Sequence, residues 1–314
     1  MNKLVIGTRK SQLAMVQTEL AVEALKKGDT ESEYVIEAIQ TTGDKILDRP
    51  LLSFGGKGIF IEEFEQRLQN GDIDLAVHSA KDMPAVLRKG LEIAATLERE
   101  DPRDVLVWRR GEKIEEKENL IIGTGSKRRE IQVKKLYACQ CKLLRGNVNT
   151  RLSKLEQGEY DAIILAAAGL KRLGLLSNEK YEIRYFDVSE MVPSGGQGII
   201  ALETRANSKA SQIAGGISVQ DSCFRLLLER HVLEKMNAGC HEPIGVYSEI
   251  VEQTLKLYVM DGRDGRAKHY KKDITLGKET MNALARNGIS TKWEEILPEI
   301  YGIVDEWLKE CNCI

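Results

Sequence analysis

The sequence predicts an α/β protein with two similar α/β domains and a smaller α+β third domain holding a three-stranded antiparallel sheet. Three observations carry this. Apolar runs alternate with helical patterns through the first two thirds of the chain, which implies parallel sheets covered on both faces. The order of strand, Ile-Gly-Thr, polar turn and helix in "LVIGTRKSQLAMV" returns in "LIIGTGSKRREIQVKKL", and Gly-acid-x-Asp precedes an apolar run in both "GDIDLAVHS" and "GEYDAIILA". After Asp221 the pattern changes to alternating strands.

Element by element, "KLVIGT" reads as a strand. "SQLAMVQTELAVEALKKG" reads as a helix with Leu13, Val16, Leu20 and Ala24 on its apolar face, Ser11 as cap and Gly28 at its end. "YVIEAI" is a strand, "GIFIEEFEQRLQNG" a helix ended by Gly71, and "DIDLAVHS" a third strand. Beyond Asp221, "GVYSEI", "TLKLYVMD" and "AKHYKKDI" form the antiparallel set, with a turn at Asp264-Gly265 and the helical "TKWEEILPEIYGIVDEWLKE" behind it.

Composition narrows the function. A chain of 314 residues, 42% apolar and 30% charged, is long and mixed enough for several packed domains, and 5% aromatic content argues against a base-stacking surface. A net charge of -2 leaves no global basic excess to displace counterions, so nucleic acid is excluded as a partner. No apolar run approaches the ~18 residues of a membrane span and the amino terminus reads as a strand, so a cytoplasmic protein free of membrane is expected. A monomer is expected because no exposed apolar stripe suggests a partner surface. A reducing compartment weakens the disulfide reading for the six cysteines, and the lack of any C-x-x-C pair argues against zinc, so no metal site is expected. Cys139 and Cys141 point to one side of a strand, and Cys311 and Cys313 sit in the tail. Cys240 is different. "NAGCHEPIGV" is too broken for helix or strand, which leaves its thiol as half a disulfide, a ligand, a nucleophile or a covalent anchor.

In open sheets, ligands bind beyond the carboxyl ends of strands, where helix N-termini offer unpaired N–H groups. Arg9, Ser11, Ser79, Lys81, Thr124, Ser126, Arg128, Arg129 and Arg145 fall at such ends, and Arg151 and Arg172 lie in helix starts nearby. Arginine makes two-point contacts with carboxylates, so this cleft is expected to take a ligand bearing many carboxylates or phosphates. "GGKGIF" around Lys57 resembles a phosphate loop but lacks the following Ser or Thr and the glycine spacing, and reads as a flexible flap. Within the cleft, "HSAKDMP" sets Asp82 beside Lys81 just past a strand. Neighbouring cations favour the ionised carboxylate, which suits it to stabilising a cationic intermediate.

The motifs "TRKSQLA", "TTGDKILD", "GGKGIF", "HSAKDMP", "EREDPRD", "IGTGSKRRE", "RGNVNTRL", "AAAGLKRLG", "PSGGQG" and "ER", with "NAGC" shortly after, occur in order from Thr8 to Gly245. Together they resemble the porphobilinogen deaminase (hydroxymethylbilane synthase) family. The resemblance implies two doubly wound domains like periplasmic binding proteins and a third carrying a dipyrromethane cofactor on a cysteine thioether. The expected division is 1–97 with 198–216, then 98–197, then 217–314. It implies an enzyme that joins four porphobilinogen molecules head to tail on that primer, releases ammonia each time, and hydrolyses off hydroxymethylbilane.

Carried onto this sequence, Cys240 is the anchor and Asp82 the catalytic carboxylate that holds pyrrole N–H groups and assists ammonia loss. Arg9, Arg128, Arg129, Arg145, Arg151 and Arg172 bind carboxylates, and Ser11, Lys57, Ser79, Lys81, Thr124 and Ser126 stand around them. Two positions depart from the family pattern. Glu242 stands where an apolar residue is usual, and Gly125 where serine is common. The alternative to an enzyme is a cytosolic two-lobed anion-binding sensor, which explains the arginines and requires neither Cys240 nor Asp82.

Overall fold

The computed structural model describes residues 2–39, 61–239, 242–286 and 292–314. Lys57 with its flap, and Cys240, lie outside the described residues.

The first sheet is built from β1 (Asn2–Arg9), β2 (Ser32–Ile39), β3 (Leu75–Ser79), β4 (Leu91–Thr96) and β10 (Ile200–Arg205), in the order β2-β1-β3-β10-β4. The second has β5 (Asp104–Arg109), β6 (Leu120–Gly123), β7 (Cys139–Lys142), β8 (Ala162–Ala166) and β9 (Tyr181–Tyr185), in the order β7-β6-β8-β5-β9. The two orders are equivalent, as the repeated grammar predicts. Central strands such as β3, β5 and β8 are buried along nearly their whole length, the pattern of a sheet covered on both faces.

Neither sheet is wholly parallel. β10 runs antiparallel to β3 and β4, and β5 antiparallel to β8 and β9. The reason is the route of the chain. It leaves the first sheet after β4 and returns to it at β10, so each crossing strand enters from the carboxyl ends of its neighbours, with Ile200 opposite Ser79 and Asp104 opposite Ala166. Both crossings thus join the sheets at the ends where the predicted cleft lies.

Helix α1 (Gln12–Gly28) forms as expected, with Ser11 accepting the Ala14 N–H at 3.3 Å. Its buried face differs. Gln17, Thr18, Ala21, Val22 and Leu25 are buried, whereas Leu20 is exposed and Leu13, Val16 and Ala24 are half-buried. The helix turns its polar pair inward because both find partners: Thr18 bonds Thr8 at 2.7 Å, and the Gln17 amide bonds Ser79 Oγ at 2.9 Å. Helix α2 (Glu62–Asn70) ends at Gly71, whose φ of 82° is the left-handed value that glycine permits.

The remaining helices of the two sheets are α3 (Lys127–Leu136), α4 (Val148–Glu156), α5 (Ala167–Arg172) and α6 (Lys209–Gly215). The third unit has α7 (Gln220–Lys235), an antiparallel sheet β11 (Ile244–Val251), β12 (Thr254–Asp261) and β13 (Lys268–Thr275), then α8 (Lys278–Leu284) and α9 (Trp293–Glu310). Phe224, Leu228 and Val232 of α7 pack with Val246, Leu257, Val259, Val304 and Leu308 in one core. Gly265 takes the β12–β13 turn at a φ of 86°. Among the described residues no helix is long and apolar enough to cross a membrane.

Candidate active site

Strand β3 ends at Ser79 and runs into a single 3-10 turn, Ala80–Asp82. That turn is tied to the returning chain, since Ala80 N–H donates to the Ile199 carbonyl at 3.0 Å. Asp82 is exposed at its end, and Lys81 is half-buried beside it. Lys81 Nζ donates to Gln197 Oε1 at 3.1 Å, and Gln197 Nε2 donates to Asp104 Oδ1 at 2.9 Å and to the Pro102 carbonyl at 2.7 Å. Gln197 therefore joins the turn that carries Asp82 to the first residue of β5.

Asp104 is fully buried and collects two arginines. Arg128 donates to it from Nη2 at 2.7 Å, and Arg129 from Nε at 3.1 Å and Nη2 at 2.7 Å. Burial alone would raise the Asp104 carboxyl, but Arg128, Arg129 and the Gln197 amide outweigh it and hold it well below the usual carboxylate range. Arg128 and Arg129 are themselves buried and also donate to the Val192 and Ile164 carbonyls. Both guanidiniums expected to bind carboxylates are thus anchored on Asp104, and both lie close enough to the cleft to act on Lys81.

Above that floor the cations gather around Asp82. Burial, then Arg129, pulls the Lys81 ammonium down to about 8, with Asp82 opposing. Burial, then Arg129 and Arg145, pulls Arg151 below the usual arginine range, again with Asp82 opposing. These mutual effects place Lys81, Asp82, Arg129, Arg145 and Arg151 in one neighbourhood. Arg145 leaves β7 just ahead of Gly146, and Arg151 rides on α4, its Nε held by the Gly146 carbonyl at 2.8 Å.

The other expected residues are placed less centrally. Ser126 caps α3 by accepting the Arg129 N–H at 3.5 Å, Thr124 Oγ1 accepts the Ser126 N–H at 3.2 Å, and Ser79 is bonded to Gln17. Arg9 is half-buried at the end of β1, next to the cap Ser11. Arg172 sits on the crossing instead, donating to the Gly198 carbonyl at 2.6 Å; burial lowers it and Glu100 opposes. Gln12 and Asn149 bond at 2.6 Å, linking the start of α1 to α4. Among the described residues no group of three or more His, Cys, Asp or Glu stands ready to hold a metal ion.

A family model described as porphobilinogen deaminase, dipyromethane cofactor binding domain, matches residues 4–212, and one for the porphobilinogen deaminase C-terminal domain matches residues 223–284. The chain belongs to the porphobilinogen deaminase family. A porphobilinogen deaminase from Shouchella clausii is 39% identical over 312 residues, covering 96% of this chain and 100% of that one. Another from Ruminiclostridium cellulolyticum is 43% identical over 258 residues, 82% of this chain and 86% of its own. Among solved structures, the chain is similar to an arginine transport-system periplasmic binding protein from Legionella pneumophila, with a TM-score of 0.39 and 14% identity, over 74% of this chain and 94% of that one. Family membership supports the enzyme reading and leaves the non-catalytic sensor without support.

Within a deaminase of this kind, the two departures have different weights. A Cβ on Gly125 would stand 2.8 Å from the Leu144 carbonyl, so the turn above α3 is closed too tightly for serine without a shift. Glu242 is exposed, and its carbonyl accepts the Ile244 N–H at 2.8 Å at the entry to β11. Asp104 and Gln197, which organise the floor, were not among the expected site residues. The available signal was an aspartate opening the apolar run "DVLVW", a position that forces a buried charge to find partners.

Proposed function

We propose that this chain catalyses the porphobilinogen deaminase reaction, extending a dipyrromethane primer held through a thioether to Cys240 by four porphobilinogen units and releasing hydroxymethylbilane. Its working units are 1–97 with 198–216, 98–197, and 217–314. The observation that carries the reading is the grouping of Lys81, Arg129, Arg145 and Arg151 around the carboxylate of Asp82.

These residues suit a dipyrromethane guest. Lys81 and Arg151 are both disfavoured as cations by burial and by their cationic neighbours, and a guest bearing several carboxylates relieves that repulsion. When bound, the primer supplies the free pyrrole carbon that takes the new bond. Arg145 and Arg151 hold acetate and propionate groups by two-point contacts, with Arg9 and Arg172 reserved for carboxylates further along the cleft. Asp82, exposed at the end of its turn, accepts pyrrole N–H groups, orients the incoming ring and holds a proton as ammonia departs. The positive charge that develops on the substrate is stabilised by the same carboxylate.

The test pairs turnover with intact mass. Porphobilinogen should be consumed with release of ammonia, and the denatured parent should carry a covalent increment of two pyrrole units that Cys240→Ser lacks. Asp82→Asn should keep its circular dichroism spectrum and lose turnover by at least the ~10²-fold typical of removing a general acid or base. Near-parent turnover in Asp82→Asn would remove that residue from the proposed chemistry.

A further inference from the structure

Control over where Asp82 stands begins before the turn that carries it. Strand β3 is laddered on both sides only at its start: its pairing with β1 covers Leu75 and Ala76, whereas that with β10 runs on through Val77, His78 and Ser79. The last three residues before the turn are therefore held by β10 alone among the described strands, and their side chains must supply the rest. Alternation sends Leu75 and Val77 into the cluster with Ala21, Val22 and Leu25 of α1, and Ala76 into the cluster with Phe64 and Leu68 of α2. Ser79 follows the first set and His78 the second.

Each of the two meets a polar clamp. On the α1 face Ser79 Oγ accepts from the Gln17 amide at 2.9 Å. On the α2 face His78 Nε2 donates to Glu203 Oε2 at 3.0 Å, and the imidazole stands edge-on to Phe64, with ring centroids 5.5 Å apart and planes at 88°. Ala201 lies opposite His78 and Glu203 opposite Ala76, so the His78–Glu203 bond runs diagonally back along β10. A diagonal tie has a component along the strand that the perpendicular ladder bonds lack. Both side chains are buried, His78 at 5% exposure and Glu203 at 0%. Among the described residues Glu203 Oε1 makes no hydrogen bond, so His78 is the partner through which this buried carboxylate is satisfied.

We propose that His78 is a positioning residue for the deaminase reaction: tied to Glu203, it sets how far the Ser79–Asp82 segment advances along the sheet, and so where the Asp82 carboxylate meets the substrate. The inference rests on the role given to Asp82 above. His78 is buried within the sheet and acts through Asp82 rather than on the reacting atoms. The turn between them transmits a displacement instead of absorbing it, because it is closed at both ends. Ala80 N–H donates to the Ile199 carbonyl at 3.0 Å, and Met83 N–H donates to the Ala80 carbonyl at 3.2 Å. A slip of β3 against β10 would therefore carry Asp82 with it.

The experiment compares full-length, cofactor-loaded chains, with loading read by intact mass. His78→Leu should lower kcat per loaded molecule by up to ~10²-fold, the cost of misplacing a reacting group by about 1 Å, and leave KM for porphobilinogen at the parent's value. His78→Gln, whose amide donates from the place of Nε2, should recover most of that loss. His78→Leu also strands a buried charge and so lowers stability, and a second chain separates the two effects. In His78→Leu/Glu203→Leu both polar groups are gone, which should restore resistance to urea while kcat stays low. A parental kcat in the double variant, a rise in KM that accounts for the loss, or no recovery in His78→Gln overturns the inference. Near-parent turnover in Asp82→Asn would instead bring down the reading on which it rests.

Discussion

Lys81 carries its charge where burial and Arg129 discourage it, so its ammonium titrates near about 8 rather than at its ordinary 10.5. For binding anions the sign is plain: the lysine is charged below about 8 and neutral above it, so kcat/KM for porphobilinogen should fall as pH rises through that value. Lys81→Gln should lower kcat/KM and remove that limb, and a limb that persists in the variant would place it on another group. Stability runs the other way. The unfolded lysine holds its proton up to its ordinary value and the folded one does not, so between about 8 and 10.5 stability rises with pH. Asp82 and Lys81 were legible in the sequence because a charged pair after an apolar run and before proline marks a turn at a strand's end. Asp104 and Gln197 were not. Their importance comes from partners 24 to 116 residues away, and one sequence does not display which side chains meet across a fold.

Helices and strands here were read well in kind and less well in orientation. The extent of α1 follows from its cap and its period, but its buried face turned on Thr18 and Gln17, whose hydroxyl and amide are satisfied by Thr8 and Ser79. A polar residue can face a core when a specific partner waits there, and hydrophobic period alone predicts the opposite. The same rule makes α3 dependent on β5. Its first turn sinks Arg128 and Arg129 onto Asp104, with five donor contacts to that carboxylate and nearby carbonyls. Asp104→Asn should cost about 3 to 5 kcal/mol, the usual penalty for leaving buried charges unpaired. Because the folded Asp104 carboxyl lies below its unfolded value of 3.8, the parent's advantage is present above that value and is lost as pH falls through the depressed folded one. Urea titrations at pH 7 and at progressively lower pH should show the gap between parent and variant closing in acid. A gap that stays constant would mean the charge on Asp104 is not what the helix needs.

At the scale of the molecule, Glu229 of α7 ties the third unit to the two crossings between the sheets. It is fully buried and accepts from both terminal nitrogens of Arg99, at 2.6 and 3.2 Å, from Gly196 N–H at 2.7 Å, and from Ser248 N–H and Oγ at 2.8 and 2.7 Å. Arg99 and Gly196 lie on the two crossings, and Ser248 lies on β11. Glu229→Ala leaves a buried guanidinium and a backbone N–H unpaired, and should cost about 3 to 5 kcal/mol. The third unit should then unfold ahead of the rest, seen as two denaturant transitions where the parent shows one, while Glu229→Gln retains an acceptor and loses less. A single shared transition in the alanine chain would mean that other contacts couple the parts.

The position of β10 has a consequence for the order in which the protein can be made. It lies between β3 and β4, yet the ribosome delivers it only after the whole second sheet. Until Arg205 has emerged, the nascent first sheet has a missing plank, with two apolar strands facing an empty slot. A fragment ending at residue 197 should therefore hold a protease-resistant second sheet and a first half that is readily cut, and extension to residue 216 should restore resistance. Earlier resistance of the first half would show that β3 and β4 close without their partner. The second lobe must wait as a finished insert in an unfinished frame, so amino-terminal folding here is completed by the chain's return rather than by its departure.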